Sequence, residues 1–459
     1  MNLCEYLHTL ANKSIAVVGI GVSNRPLLEL LLENGLDVTA CDQRSLEQMG
    51  ELGERLLARG CKLKLGKDYL EGLDQDVIFR TPGLMPFDPH LEEAGRRGSL
   101  ITSEMEVFLS ICPCRVIAVT GSDGKTTTTT IISELLKAAG YTVHLGGNIG
   151  RPLLCDTPKM RPEDYAVLEL SSFQLHSMTC RPDVAVITNL TPNHLDKHKD
   201  FQDYIDAKRA IYENQGQEGR LILNADDPHT EYYRSFAPGK VSLFSDRQIV
   251  RQGTALVDGW LCRMSEGEPE RILRAEEIRI PGEHNVLNYL AAFEAVRGLV
   301  SADLCREVAR TFPGVPHRLE LVRELRGVKY INDSIGSSPT RTIAGLRALK
   351  TKPIVICGGY DKHIPFAPLG DELCLRAKSV VLTGATAEKI RQAILESPNY
   401  TGELPVVTVP DFRDAVLKAS SLAGEGDTVL LSPACASFDA FRNFEERGNF
   451  FKQIVREIR

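Results

Sequence analysis

Residues Arg115 to Gly140 read RVIAVTGSDGKTTTTTIISELLKAAG, and the organisation of the whole chain follows from this stretch. Val116 to Thr120 form a short apolar, β-branched run that predicts a buried strand. Gly121-Ser122-Asp123-Gly124 makes a turn, and Lys125-Thr126 opens a helix with Ile131, Ile132, Leu135, Leu136 and Ala139 on one face. Gly140 stands where such a helix stops. Strand, glycine turn, Lys-Thr and helix together make a phosphate cradle. Backbone N–H groups and the helix N-terminus attract an anion, Lys125 adds a full charge, and the Thr126 hydroxyl can reach a Mg²⁺. The spacing is a short form, Gly-x-x-Gly-Lys-Thr, with Val119 where the longer pattern has its first glycine. An ordinary glycine turn is the competing reading, and the flanking patterns weigh against it.

Upstream, SIAVVGIG (14–21) reads as a strand entering a glycine turn, LLELLLENG as a helix, and LDVTACD (36–42) as a second strand ending on an acid. Gly19, Gly21 and Asp42 make half of a dinucleotide-binding βαβ unit. Asn24 stands in place of the third glycine, so a nicotinamide dehydrogenase is a weak reading. A nucleotide-sized site at a strand end survives, with Asp42 placed to accept from a hydroxyl. DQDVIFRTPGL (74–84) ends in a similar turn, Thr81-Pro82-Gly83.

Downstream of the cradle, strands are expected at 165–170, 184–189 and 220–224, each ending in polar residues. A small antiparallel patch is expected within 250–280, a helix over 284–299, and a linker at the turn-rich 312–316. Strands at 328–331, 353–357, 379–383, 405–409 and 427–431 then alternate with helical segments. The expected division is three α/β domains, 1–103, 104–313 and 314–459.

A chain of 459 residues is too long for one core. Its 43% hydrophobic and 25% charged residues are ordinary for a soluble globular protein. A formal charge of −7 offers no reason to expect nucleic acid or an acidic membrane as partner. The 12 cysteines are scattered through apolar runs, unlike a disulfide scaffold, and read as reduced thiols in the cytoplasm. Cys112-Pro113-Cys114 is the only close pair, weak ground for a metal. There is no N-terminal basic-then-apolar segment and no apolar run of about 18 residues, so a soluble cytoplasmic protein is expected.

Four polar groups follow predicted strands after the cradle: Glu169, His194, Asp196 and Lys208. A carboxylate and an imidazole beside a triphosphate suit octahedral Mg²⁺. Spacing alone leaves each open. Glu169 serves equally as a cap, His194 as a hydrogen-bonded loop histidine, and Lys208 as a solvated helix face. The string His194-Leu-Asp-Lys-His198 hints at zinc, without a suitably spaced cysteine or third histidine.

Taken together, TGSDGKT (120–126), GGNIG (146–150), LELSSFQL (168–175), NLTPNHLD (189–196), AKRAIYEN (207–214), NADDP (224–228), GEHNVLNYLAA (282–292), PHRLE (316–320), NDSIGSS (332–338) and SPACASFDAF (432–441) are specific. In content and order this set resembles the Mur ligases over the whole chain. LELSSFQL and SPACAS-FD favour the branch that joins D-glutamate to UDP-N-acetylmuramoyl-L-alanine. Folylpolyglutamate synthases share the cradle but lack the N-terminal nucleotide-binding domain.

The resemblance implies an α/β protein with a Rossmann-like N-terminal domain, a central P-loop ATPase-like, mostly parallel sheet and a C-terminal Rossmann-like domain. It implies ATP held by Gly121, Ser122, Asp123, Gly124, Lys125, Thr126 and Thr127, with Asn285, Arg318 and Asp333 on the adenosine side. Two Mg²⁺ sites are implied, drawing on Thr126, Glu169, His194 and Lys208, with Lys208 carbamylated by CO₂. Asn148 would hold the substrate carboxyl or acyl phosphate. Gly21, Ser23, Asn24, Asp42, Arg44, Thr81 and Gly83 would hold the UDP moiety, and Lys362, Ser437, Phe438 and Phe444 the D-glutamate. The implied partners are small molecules, with neither nucleic acid nor membrane, and a monomer is expected. The family's Asn-Asp-Ser-Lys-Ala-Thr reads Asn332-Asp333-Ser334-Ile335-Gly336-Ser337 here, so a cation is missing at Ile335. Arg341 is the nearest substitute.

Overall fold

In the computed structural model, which describes residues 1–191, 198–280, 282–361 and 364–459, the strands assemble into three separate sheets. The first contains β1 (Ser14–Val18), β2 (Asp37–Asp42), β3 (Lys62–Leu65), β4 (Val77–Arg80) and β5 (Leu100–Thr102), ordered β3-β2-β1-β4-β5. Every pairing is parallel. Parallel strands are covered on both faces and read as continuous apolar runs, which is why β1 and β4 are legible as SIAVV and VIFR. The strand order reverses between β1 and β4, where α/β sheets open a crevice for a ligand. Gly19, with φ +78°, lies at that point, and a Cβ there would come within 2.8 Å of Thr81 Cγ2. Only glycine lets the two turns approach so closely.

The second sheet has nine strands: β6 (Arg115–Thr120), β7 (Val143–Gly147), β8 (Tyr165–Glu169), β9 (Val184–Ile187), β10 (Arg220–Asn224), β11 (Lys240–Ser245), β12 (Gly253–Val257), β13 (Trp260–Met264) and β14 (Glu270–Arg274). Their order is β14-β13-β12-β11-β10-β9-β6-β8-β7. Pairing is parallel from β7 through β12 and antiparallel across β12-β13-β14, the patch expected near 250–280. The third sheet holds β15 (Glu320–Leu325), β16 (Val328–Asn332), β17 (Ile354–Cys357), β18 (Ser379–Leu382), β19 (Val406–Thr408) and β20 (Thr428–Leu431), ordered β15-β16-β20-β17-β18-β19. Only β15 runs antiparallel to its neighbour.

The chain divides into two compact units, Met1–Ile278 with His284–Arg310, and Arg279–Glu283 with Thr311–Arg459. The first unit contains the first two sheets, and one apolar cluster runs through both, from Ile15 and Phe79 by way of Phe108 to Leu168. The helix Glu104–Ile111, capped by the Ser103 hydroxyl accepting from Glu106 N at 3.2 Å, supplies Phe108 to that bridge. In the second unit separate clusters cover the two faces of the third sheet. Among the described residues no helix is long and apolar enough to cross a membrane.

Candidate active site

The backbone leaves β6 at Thr120 and turns through Gly121 (φ +145°) and Gly124 (φ +78°) into the helix Lys125–Ala138. A Cβ on Gly121 would lie 1.9 Å from Thr188 Oγ1, so the close approach of loop and β9 end requires glycine. That neighbouring strand end holds the loop in shape. The Asp123 carbonyl accepts from Thr188 Oγ1 at 2.6 Å, and Asp123 N donates to Asn189 Oδ1 at 2.9 Å. Ser122 N donates to the Asn189 carbonyl at 2.8 Å. Lys125 Nζ folds back over the turn and donates to the carbonyls of Gly121 and Ser122 at 2.9 and 2.8 Å. Thr126 and Thr127 occupy the first turn of the helix. The later threonines have a local explanation: Thr129 and Thr130 hydroxyls donate to the carbonyls four residues back, and Thr128 donates to Asn288 Oδ1.

Asn285 and Asn288 sit on the buried side of the helix His284–Ala295, with Asn288 Nδ2 donating to Asn285 Oδ1 at 2.9 Å. A Cβ on Gly124 would meet Asn288 Oδ1 at 2.4 Å. Asn288 thus packs against the mouth of the cradle. Thr188, Asn189 and Asn288 support the site, and in sequence only their closeness to the recognised motifs points to them.

Glu169 ends β8 and is buried. Its Oε1 accepts from Asn148 Nδ2 at 2.7 Å, while Asn148 N donates to the Glu169 carbonyl at 2.8 Å. Gly147 permits this, since a Cβ there would lie 2.1 Å from that carbonyl oxygen. Glu169 Oε2 is buried without a hydrogen-bond partner among the described residues. A buried carboxylate oxygen left unpaired is costly unless a cation meets it.

Lys208 lies on the helix Phe201–Arg209 and is only 1% exposed, the opposite of a solvated helix face. Its Nζ donates to the Gly121 carbonyl at 2.9 Å and to Thr120 Oγ1 at 3.3 Å, and stands 4.4 Å above the Tyr204 ring. Burial, and secondly the charge of Lys125, hold its pKa well below the ordinary lysine value. The helix is pinned by a hydrogen-bonded chain. Asp203 pairs with His176 Nε2 at 3.0 Å and His198 Nδ1 at 2.8 Å, and His198 Nε2 reaches Ser172 Oγ at 3.0 Å. Burial opposes charge on Asp203, but these two imidazoles outweigh it and its pKa falls below the usual carboxylate range. His194 and Asp196 lie outside the described residues, as does Lys362.

In the first sheet, Asn24 does what a third glycine would do elsewhere: its buried carboxamide donates to the carbonyls of Val18 and Gly19 at 3.0 and 3.1 Å, closing the turn. Asp42 differs from the hydroxyl acceptor expected. Its Oδ1 accepts from Arg44 Nε at 2.8 Å, and its Oδ2 from Ile20 N at 2.8 Å and Arg44 Nη2 at 2.9 Å. Burial raises its pKa, but these donors, led by Arg44, bring it down to about 2. Asp42 therefore orients Arg44 and the turn. Ser23 and Asn24 line, with Arg80, Asn148, Arg151 and Gln174, a cavity of about 170 Å³. Thr81 is half-buried, while Gly21 and Gly83 are open to solvent.

In the second compact unit, Asp333 is buried; Oδ2 accepts from Ser432 Oγ at 2.7 Å and Oδ1 from Leu319 N at 3.3 Å. Burial raises its pKa to about 6. Arg318, the residue before Leu319, is half-buried, and Arg341 Nη1 lies 3.5 Å from the Ile335 carbonyl, beside the position that lacks the cation. Ser437 is buried, whereas Phe438 is 64% exposed and meets the Tyr360 ring edge-on at 5.9 Å. Phe444 opens the helix Phe444–Glu457 and packs against His317. Arg447, on the same helix, donates to the carbonyls of Ser334, Cys435 and Ala436 and to Ser334 Oγ, joining NDSIGSS to SPACASF. In sequence it is easily passed over as a helix-surface arginine.

A phosphate cradle flanked by a buried carboxylate and a buried lysine, on a mostly parallel sheet, defines an α/β enzyme that works on a nucleoside triphosphate. Residues 119–296 match the Mur ligase middle domain, and residues 317–435 the Mur ligase glutamate ligase domain. The chain is 47% identical over 461 residues to a UDP-N-acetylmuramoylalanine--D-glutamate ligase from Acetivibrio thermocellus, covering 99% of each chain. A Clostridium novyi protein of the same name is 46% identical over 456 residues, again covering 99% of each. Among solved structures, UDP-N-acetylmuramate-alanine ligase from Thermotoga maritima shares the fold with a TM-score of 0.59 at 18% identity, over 97% of this chain and 100% of that one. This chain belongs to the Mur ligase family of ATP-dependent, amide-forming ligases.

Proposed function

We propose that this protein joins D-glutamate to UDP-N-acetylmuramoyl-L-alanine with cleavage of ATP to ADP and phosphate, a step in making peptidoglycan precursors in the cytoplasm. The choice of D-glutamate rests on the full-length relatives that carry that name. The structural observation behind the chemistry is the cradle beside the unpaired Glu169 oxygen and the buried Lys208. Residues 1–103 would take the UDP moiety, through Gly21, Ser23, Asn24, Arg44, Thr81 and Gly83 with Asp42 behind them. Residues 104–313 would take ATP, and 314–459 the amino acid, through Lys362, Ser437, Phe438 and Phe444.

The cradle residues Gly121 to Thr127 bind the phosphates, with Asn285, Arg318 and Asp333 toward the adenosine. Thr126, Glu169, His194 and a carbamylated Lys208 would hold two Mg²⁺, which neutralise phosphate charge. A lysine with depressed pKa fits that modification, because only the neutral amine adds to CO₂. The substrate carboxylate oxygen bonds to the γ-phosphorus as the bond to ADP breaks, giving an acyl phosphate. Lys125 stabilises the charge in flight and Asn148 orients the carboxyl group. The D-glutamate amine then adds to the carbonyl carbon, phosphate departs with the C–O bond pair, and the nitrogen loses a proton. The working species is a monomer.

The test is ADP release with UDP-N-acetylmuramoyl-L-alanine and a panel of D-glutamate, L-glutamate, D-aspartate and L-lysine. Turnover only with D-glutamate is expected. Turnover with another member, or none with any, overturns the assignment.

A further inference from the structure

The edge of the second sheet opposite the cradle carries a cluster that the ligase reaction does not use. Cys114 immediately precedes β6, His144 is on β7, and Asp164 immediately precedes β8. The parallel registers Arg115↔Tyr165 and His144↔Ala166 bring these positions together at the strands' N-terminal ends. One ligand atom from each of the three lies within 4.8 Å of the others. His144 Nε2 is 2.9 Å from Asp164 Oδ2, which the Arg161 N–H also engages at 3.0 Å. The Cys112 thiol, just past the end of the helix Glu104–Ile111, lies 4.0 Å from the Cys114 carbonyl oxygen, and both cysteines are free thiols. Three donors, one sulfur, one imidazole and one carboxylate, therefore gather at one edge.

We propose that Cys114, His144 and Asp164, with a water as fourth ligand, form a tetrahedral site for a borderline-soft divalent cation of the zinc type. Thiolate, imidazole and carboxylate are the donors such an ion takes, whereas Mg²⁺ takes oxygen. Ligands at the usual zinc distances stand about 3.4–3.7 Å apart along a tetrahedron's edges. The observed cluster needs His144 and Asp164 to part by a few tenths of an ångström and the Cys114 thiol to turn inward, releasing its proton to solvent. The Arg161 N–H on Asp164 is the kind of outer partner that orients a metal carboxylate. An imidazole–carboxylate hydrogen bond beside a core thiol is the plain alternative, and it predicts no bound cobalt.

The consequence is structural. At their other edge β6 and β7 lead into Gly121 and Asn148, and β8 ends in Glu169. A cation at the near edge would clip β6, β8 and β7 in register and so steady the far edge.

The test uses the purified full chain, stripped with chelator and titrated with Co²⁺ and then Zn²⁺. One Co²⁺ per chain, with thiolate-to-cobalt absorption in the near ultraviolet that Zn²⁺ abolishes, is expected. Cys114→Ser should lose that absorption, and Cys112→Ser should keep it. Glu169→Gln should leave it intact. Zinc should raise the melting temperature of the native chain but not of Cys114→Ser. Absence of the charge-transfer band, its survival in Cys114→Ser, or its loss in Cys112→Ser overturns the proposal.

Discussion

Lys125 Nζ and Lys208 Nζ donate to one acceptor, the Gly121 carbonyl oxygen, each at 2.9 Å. Two ammonium groups sharing an oxygen repel each other, and Lys208 has no water to spread its charge. Adding CO₂ to Lys208 would convert the repulsion into an attraction for Lys125 and for the proposed metal. Lys208→Ala should lower ligase turnover by at least about 100-fold, equivalent to roughly 3 kcal/mol, with partial recovery on adding short carboxylates. With ¹³C-bicarbonate, a carbamate signal should appear in the native protein and be missing from Lys208→Ala. Full activity in the variant would remove Lys208 from the site.

The glycines that bracket the cradle helix separate two kinds of cost. Gly140 has φ +87° and open space where a Cβ would stand, so Gly140→Ala carries only backbone strain, about 1 kcal/mol. Gly121→Ala adds a collision with Thr188 Oγ1 and should cost roughly 2–4 kcal/mol. Urea midpoints of the two variants check the order, and ATP protection against unfolding should vanish only for Gly121→Ala.

Glu104 is buried beneath the cavity that Asn148 lines, its Oε1 accepting from Leu154 N at 2.8 Å. Burial raises its pKa from 4.5 to about 7, against the pull of the Leu154 and Leu153 N–H groups. Between those values the unfolded chain has released the proton and the folded chain retains it. Stability therefore falls as pH rises through that interval and stays lower above it, by up to about 3 kcal/mol. Glu104→Gln keeps the acceptor and removes the charge. Its melting temperature should match the native protein near pH 5 and exceed it by several degrees at pH 8, measured by scanning calorimetry.

Arg447 is buried among carbonyls without a carboxylate at hydrogen-bond distance among the described residues. Burial lowers its pKa to about 10. Arg447→Met would orphan the carbonyls of Ser334 and Cys435 and leave that of Ala436 with the Tyr360 N–H alone, and should cost more than about 3 kcal/mol. Arg447→Lys can restore part of that network. Where the fold survives, the KM for D-glutamate should rise more than that for ATP, because Ser437 and Phe438 follow directly on the chain Arg447 holds. Equal changes in both would argue against this loop as the amino-acid site.

Local pattern was enough for the cradle. Val116–Thr120, the two glycines and the Ile131–Leu136 stripe each carry their own signal, because strand burial, positive φ and helix periodicity are set by neighbours in sequence. The alternation of strand and helix, and with it the α/β class, was legible for the same reason. Strands β3 and β15 were not: KLKL and ELVREL are charged edge strands, and their pairing rather than their composition makes them strands.

Other features belong to the tertiary structure alone. Lys208 reads as a surface lysine until its helix places Nζ beside Gly121, 87 residues earlier. Asp42 reads as a free acceptor until Arg44 and Ile20 occupy both oxygens, and His176, Asp203 and His198 join only across two helices. Burial and electrostatic coupling depend on what surrounds a group in space, and the linear order of residues carries that information only through the completed fold.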